Sequence, residues 1–167
     1  MTLQDVKLFL LDMDGTFYLG DQLIEGSLDF IEKLKATGRD FLFLTNNSSH
    51  NADFYVQRLR RMGLEVDRSK VMTSGEATCE KLKELYPGKR AFVLGNEFLL
   101  HDFREAGIEV DQQNPEVVVF GFDTTKPCSH KLTIASATGV LDIPRAEAML
   151  LTLSFVPGAM RRDTISS

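Results

Sequence analysis

Leu10-Leu11-Asp12-Met13-Asp14-Gly15-Thr16 decides how the rest of this 167-residue chain is read. It closes a run, Val6 to Leu11, that is apolar except at Lys7. Such a run suits a parallel strand covered on both faces. It breaks into a polar turn with two acids, Asp12 and Asp14, two positions apart. In an open α/β sheet, ligands bind just outside the carboxyl ends of the strands. Side chains two apart in an extended segment point to the same side, so both carboxylates are expected at one spot. There they repel each other unless a cation joins them. Mg2+ is a hard ion that favours carboxylate, carbonyl and phosphate oxygens. A carboxylate can also act as a nucleophile in aspartyl-phosphate chemistry. A second acid beside it can protonate a leaving alkoxide and then activate water. Gly15 lets backbone approach a phosphate closely.

Working outward, Ser27 to Thr37 has helical spacing, with Leu28, Ile31 and Leu34 on one face, Ser27 as cap and Gly38 as stop. Phe41 to Leu44 reads as a second apolar strand that runs into Thr45-Asn46-Asn47-Ser48-Ser49. The Thr45 hydroxyl and the Asn46 backbone N–H are donors suited to phosphate oxygens. A helix is expected from about Ala52 to Met62, ended by Gly63, then a short strand at Val71-Met72. Ser74 is expected to cap a helix that runs to about Tyr86, before the break at Pro87-Gly88. Ala91 to Leu94 reads as a strand, Glu97 to Ala106 as a helix, and Val117 to Phe122 as another strand. Strands alternating with helices predict an α/β fold with a parallel sheet. After about Lys126 the pattern weakens. Leu132 to Val140 reads as a weak helix, Met149 to Val156 is apolar without period, and Gly158 to Ser167 is a polar stretch with no clear pattern.

Asp-Gly is common in ordinary turns. The strand before it, Thr16 after it, and a second strand ending in Thr-Asn-Asn-Ser favour a site over a plain turn. Net charge is −5, which gives no basic footprint for nucleic acid or an anionic membrane. Cys79 and Cys128 form no CxxC pair, so neither a zinc site nor a disulfide framework is indicated, and a reducing cytoplasmic setting is expected. The first residues lack the charged and apolar regions of a signal peptide. His50, His101 and His130 are scattered and read as surface residues, and Arg58, Arg60 and Arg61 read as a solvated helix face. Cys79 reads as packing.

The quoted heptad resembles the first motif, DxDGT, of the haloacid dehalogenase (HAD) superfamily, and Thr45-Asn46-Asn47-Ser48 resembles its second. Tyr18-Leu19-Gly20, Thr73-Ser74-Gly75-Glu76-Ala77, Val93-Leu94-Gly95 and Val118 to Asp123 are similar to the NagD-like, p-nitrophenyl-phosphatase-type subgroup. The likeness covers roughly residues 6–125. It implies a three-layer Rossmann-like core with an inserted α/β cap, and hydrolysis of a small phosphate monoester, of the sugar- or nucleotide-phosphate class. By that resemblance Asp12 is the nucleophile and Asp14 the general acid and base. The Asp12 side chain and the Asp14 carbonyl would ligate Mg2+, while Thr45 and Asn46 hold the phosphoryl group. Residues 1–88 would be the first part of the core, 89–125 part of the cap, and 126–167 an atypical tail.

The chain departs from that family after Asp123. The third motif, a lysine usually in a Gly-Lys-Pro context, and the fourth, a Gly-Asp run with further acids, do not appear. A weakly active or inactive, poorly soluble or self-associating chain is therefore expected. A non-catalytic fragment or pseudogene product, or a phosphate-accepting regulatory domain, are the alternatives. Turnover of p-nitrophenyl phosphate with Mg2+ separates them. Codons for Met149-Leu150-Leu151-Thr152-Leu153-Ser154 can be chosen so that another frame spells Ala-Thr-His-Pro-Glu, close to a segment that follows the cap helix in the family. An out-of-frame tail from about Glu147 is therefore expected, the alternative being a divergent natural ending. Sequencing the gene past Ser167 is expected to reveal Gly-Lys-Pro and Gly-Asp motifs in another frame, and their absence from every frame removes the idea.

Overall fold

The computed structural model describes residues 5–121, and the helix expected at Leu132 to Val140 and the apolar stretch Met149 to Val156 lie outside them. By their contacts the described residues form two bodies, one within Met1–Thr45 and Ala52–Thr73, the other made of Asn46–Asn51 and the residues from Ser74 on.

The first body is built on a three-stranded parallel sheet of β1 (Leu8–Asp12), β4 (Asp40–Thr45) and β5 (Val71–Thr73), in the order β1-β4-β5. Between β1 and β4 run a short antiparallel hairpin, β2 (Tyr18–Leu19) with β3 (Gln22–Leu23), and helix α1 (Ser27–Ala36). Helix α2 (Ala52–Arg61) and a 3-10 turn (Arg68–Lys70) join β4 to β5. Alternation in β4 sends Phe41 and Phe43 into the core. Phe43 meets Phe17 edge-on at 4.8 Å and Phe41 at 5.4 Å between ring centroids. Ile31, Leu34, Tyr55 and Leu59 close the cluster.

Two sequence readings change here. Leu28 is 38% exposed, and the buried stripe of α1 is Ser27, Ile31 and Leu34, spaced i, i+4, i+7. Ser27 is not the cap: Gly26 precedes the helix at φ 86°, and the Ser27 hydroxyl donates to the Phe17 carbonyl at 2.8 Å. That carbonyl also accepts the Ile24 N–H at 3.1 Å, so the serine hydroxyl is its second donor and not a cap for its own helix. The hairpin of β2 and β3 was not foreseen, because two-residue strands carry no readable period. Among the described residues β1 pairs only with β4, and Leu8 and Leu10 on it are 51% and 56% exposed.

The second body pairs β6 (Ala91–Leu94) in parallel with β7 (Val117–Phe120), Ala91 opposite Val117. Helices α3 (Ser74–Leu85) and α4 (Glu97–Glu105) accompany them. Cys79, Leu82, Val93, Leu99, Phe103, Val117 and Val119 form its core, while Phe92 and Val118 are buried in a second, smaller cluster. Burial of successive residues is what a parallel pair covered on both sides requires. Gly63 and Gly107 follow the ends of α2 and α4 at φ 93° and 73°, the left-handed conformation that stops a helix.

The starts of β6 and β7 are clipped by charge. Glu116 accepts from Lys89 Nζ at 2.6 Å and from the Arg90 backbone N–H at 3.3 Å. Those donors, led by Lys89, pull the Glu116 carboxyl down from 4.5 to about 2. A depressed folded pKa gives stability that is complete above the unfolded value and is lost as pH falls through the folded one. Glu116→Gln is expected to lower the melting temperature at neutral pH, with the gap to wild type closing as pH drops from about 4.5 towards about 2. A pH series of thermal melts checks this.

Candidate active site at the carboxyl end of β1

Asp12 is the last residue of β1 and sits opposite Leu44 on β4. Met13 is fully buried while Asp12 and Asp14 on either side are exposed, as alternation requires. The buried Met13 carbonyl faces the N–H groups of Thr16, Phe17 and Tyr18 at 3.3, 2.9 and 3.2 Å, which winds the chain into a tight turn. Gly15, at φ 79°, supplies the left-handed residue in that turn and donates its N–H to the Tyr18 carbonyl at 2.8 Å. The result brings Thr16 back under Asp12, and its hydroxyl donates to Asp12 Oδ2 at 3.1 Å.

Asp14 is held more firmly. The Tyr18 hydroxyl donates to Asp14 Oδ2 at 3.3 Å, and Arg58 Nη1 lies 3.9 Å from Oδ1. Arg58 also donates to the Gly20 carbonyl at 2.8 Å and to Asp21 at 3.3 Å, and its guanidinium lies 4.6 Å over the Tyr18 ring. Burial, and then the nearby Asp14 carboxylate, push the Tyr18 hydroxyl up, so it remains a proton donor. Arg58 is therefore not part of a solvated face. Its side chain is only 19% exposed, whereas Arg60 is 53% exposed and pairs with Glu65.

Thr45 ends β4 opposite Thr73 of β5, is 5% exposed, and shares a side-chain hydrogen bond with Tyr55 of α2. Burial raises the Tyr55 pKa. Asp12, Asp14 and Thr45 thus all belong to the first body, on the carboxyl ends of paired parallel strands or in the turn just after. Asn46, the next residue, belongs to the second body and is exposed. Sequence reasoning gave Tyr55 no role, used Tyr18 only as part of a family-like stretch, and read Arg58 with Arg60 and Arg61 as a solvated helix face, a phosphate-facing role for one of the three being the alternative. Tyr18 and Arg58 reach the site through the hairpin and α2, and no local spacing connects Arg58 to Asp14.

Mg2+ is usually held by one or two carboxylates, substrate phosphate and water. Asp12 and Asp14 are oxygen donors of that hard kind. The Asp14 carboxylate already faces Tyr18 and Arg58, which leaves the Asp12 carboxylate as the more open ligand. Among the described residues no cluster of three or more Asp, Glu, His or Cys side chains stands ready for a metal. Cys79 is buried at 4% exposure and burial pushes its thiol up to about 12, so it packs rather than reacts. No described helix is long and apolar enough to cross a membrane.

Residues 9–109 match the family model of haloacid dehalogenase-like hydrolases. An acid sugar phosphatase from Staphylococcus aureus is 33% identical over 135 residues, which is 80% of this chain and 52% of that protein. A 4-nitrophenylphosphatase structure from Thermotoga maritima is 41% identical with a TM-score of 0.79, covering 89% of this chain and 55% of that one. NagD from E. coli K-12 shares the fold, with a TM-score of 0.72 at 24% identity over 87% of this chain and 56% of that one. A glycerol phosphate phosphatase from Mycobacterium tuberculosis, solved in complex with magnesium, is 28% identical with a TM-score of 0.68, covering 83% and 43%. The chain spans about half the length of the curated relatives it matches. With well over half of its residues matched by the family model, this chain belongs to the haloacid dehalogenase-like hydrolases.

Proposed function

We propose that this chain is part of a phosphatase that hydrolyses a small phosphate monoester through a phospho-aspartate at Asp12. The observation that carries the reading is the register of β1 against β4, which sets the carboxylate-bearing turn and Thr45 at the same end of one parallel sheet. A carboxylate oxygen of Asp12 attacks phosphorus, and the bond from phosphorus to the ester oxygen breaks. Asp14 delivers a proton to the departing alkoxide. It then takes a proton from water, which attacks the phospho-aspartate and releases phosphate. Tyr18 and Arg58 hold the Asp14 carboxylate in place for both transfers. Thr16 orients Asp12, and Thr45 with the Asn46 N–H would hold the phosphoryl oxygens.

Mg2+, held by the Asp12 carboxylate and the Asp14 carbonyl, would supply charge neutralisation for the phosphoryl oxygens. The substrate class of this reading is a sugar or nucleotide phosphate or another small phosphorylated metabolite, and the likeness to an acid sugar phosphatase and a glycerol phosphate phosphatase supports a small phosphorylated metabolite. We assign residues 1–88 to the core, 89–125 to the start of a cap and 126–167 to an atypical tail. The setting is the cytoplasm, with no nucleic acid or membrane partner. We propose that turnover by this chain alone is weak or absent. A non-catalytic fragment or a phosphate-accepting domain would also keep Asp12, but would show no turnover.

With Mg2+ present, Asp12→Asn is expected to abolish release of 4-nitrophenolate from 4-nitrophenyl phosphate. It should also abolish the beryllium fluoride adduct seen by fluorine NMR, because an amide oxygen is a poor nucleophile and ligand. Turnover at the wild-type rate, or an unchanged adduct, removes the assignment. Asp14→Asn is expected to keep the adduct while slowing turnover by about a hundredfold or more. Rapid-quench measurement of the phospho-enzyme reads that split.

A further inference from the structure

We propose that Asn96 is a positioning residue for the turn Asn46–Asn51, fixing the segment that carries the Asn46 backbone donor. This rests on the reading of Thr45 and Asn46 as the phosphoryl-holding pair. Asn96 precedes α4, and its Oδ1 accepts from the Leu99 N–H at 3.1 Å, an ordinary helix cap. Its Nδ2 has a second task, donating to the Ser49 carbonyl at 2.7 Å. Only a side chain with both a donor and an acceptor can do both, and an aspartate at the same place would keep the cap and lose the grip.

The rest of the turn is prepared for that grip. The Ser74 hydroxyl, at the start of α3, donates to the Asn46 carbonyl at 3.1 Å, and the Ser49 N–H donates to Asn47 Oδ1 at 2.9 Å. Ser48 and Ser49 are 3% and 6% exposed. Glycines follow the ends of β6 and β7 and leave room for Leu99 beside them. A Cβ on Gly95 or Gly121 would come within 2.6 or 2.2 Å of the Leu99 side chain, and one on Gly121 within 3.5 Å of Ser48 Oγ. Asn96 therefore ties the turn to the segment that follows β6, within the second body. Hydrogen bonds from Ser74 and Asn96 hold the turn at Asn46 and at Ser49.

The experiment compares the full chain with Asn96→Asp and Asn96→Ser, which both retain a helix cap. Amide exchange is followed by mass spectrometry, with and without orthovanadate plus Mg2+ as a phosphoryl mimic. In wild type, orthovanadate is expected to slow exchange in Asn46–Asn51. In Asn96→Asp, exchange there is expected to be about fivefold to tenfold faster while α4 keeps its protection, and the vanadate concentration needed for protection rises several-fold. Equal exchange and equal vanadate protection in wild type and Asn96→Asp overturn the proposal. So does faster exchange with unchanged vanadate protection, or a loss in both variants that is centred on α4, since either leaves Asn96 a structural cap. No vanadate effect in wild type overturns the phosphoryl reading of the turn and the proposal with it. Failure of the proposal alone is distinguished by a vanadate effect that Asn96→Asp does not alter.

Discussion

Everything at the candidate site depends on the parallel pairing of β1 with β4. Two parallel strands end on the same side of a sheet, so the turns that follow them are neighbours however far apart they lie in sequence. The register puts Asp12 opposite Leu44, one residue before Thr45. That register is enforced from the other side of the pleat. A slip of one residue would turn Phe41 and Phe43 out of the core, where both are now at least 96% buried. Burying two phenylalanines is worth several kcal/mol, by about 1.5–3 kcal/mol each. The position of the exposed Asp12 carboxylate is thus fixed by buried apolar residues of the neighbouring strand.

The two acids of the turn are treated differently. Asp12 is exposed and held by one hydroxyl, that of Thr16. Asp14 is gripped by a buried phenol and a guanidinium that also ties down the hairpin at Gly20 and Asp21. A partly exposed ion pair contributes little to stability, so the value of Arg58 lies in geometry. It sets the direction of one carboxylate and leaves the other open to an incoming group. In an acidic chain, with net charge −5, Arg58 also places a positive charge beside Asp14 and Asp21.

Glycine and small polar residues close the second body. β6 and β7 are buried on successive residues, so their ends must release the chain without leaving polar groups unsatisfied. Gly95 and Gly121 give Leu99 its room, and the Asn96 amide satisfies one carbonyl and one N–H at once. Such economy is common where several segments converge on one strand end.

The elements β1, β4, β6 and β7 were legible because buried strands are short apolar runs, and α2 and α4 because glycine follows each. The acids of the turn and Thr45 could be singled out because polar residues that interrupt buried strands are conspicuous. Local information fails where a long-range partner decides the outcome. Ser27 satisfies the chemical requirements of a cap, yet the Phe17 carbonyl claims its hydroxyl. Arg58 resembles its neighbours Arg60 and Arg61 in sequence, and only the hairpin folded against α2 makes it a partner of Asp14. Asn96 reads as a cap, and only packing at the strand ends brings the Ser49 carbonyl to its other atom. The sequence by itself determined which residue types stand at the strand ends. Tertiary structure alone decided which donors meet them, because hydrogen bonds and ion pairs act over a few ångströms that sequence separation does not measure.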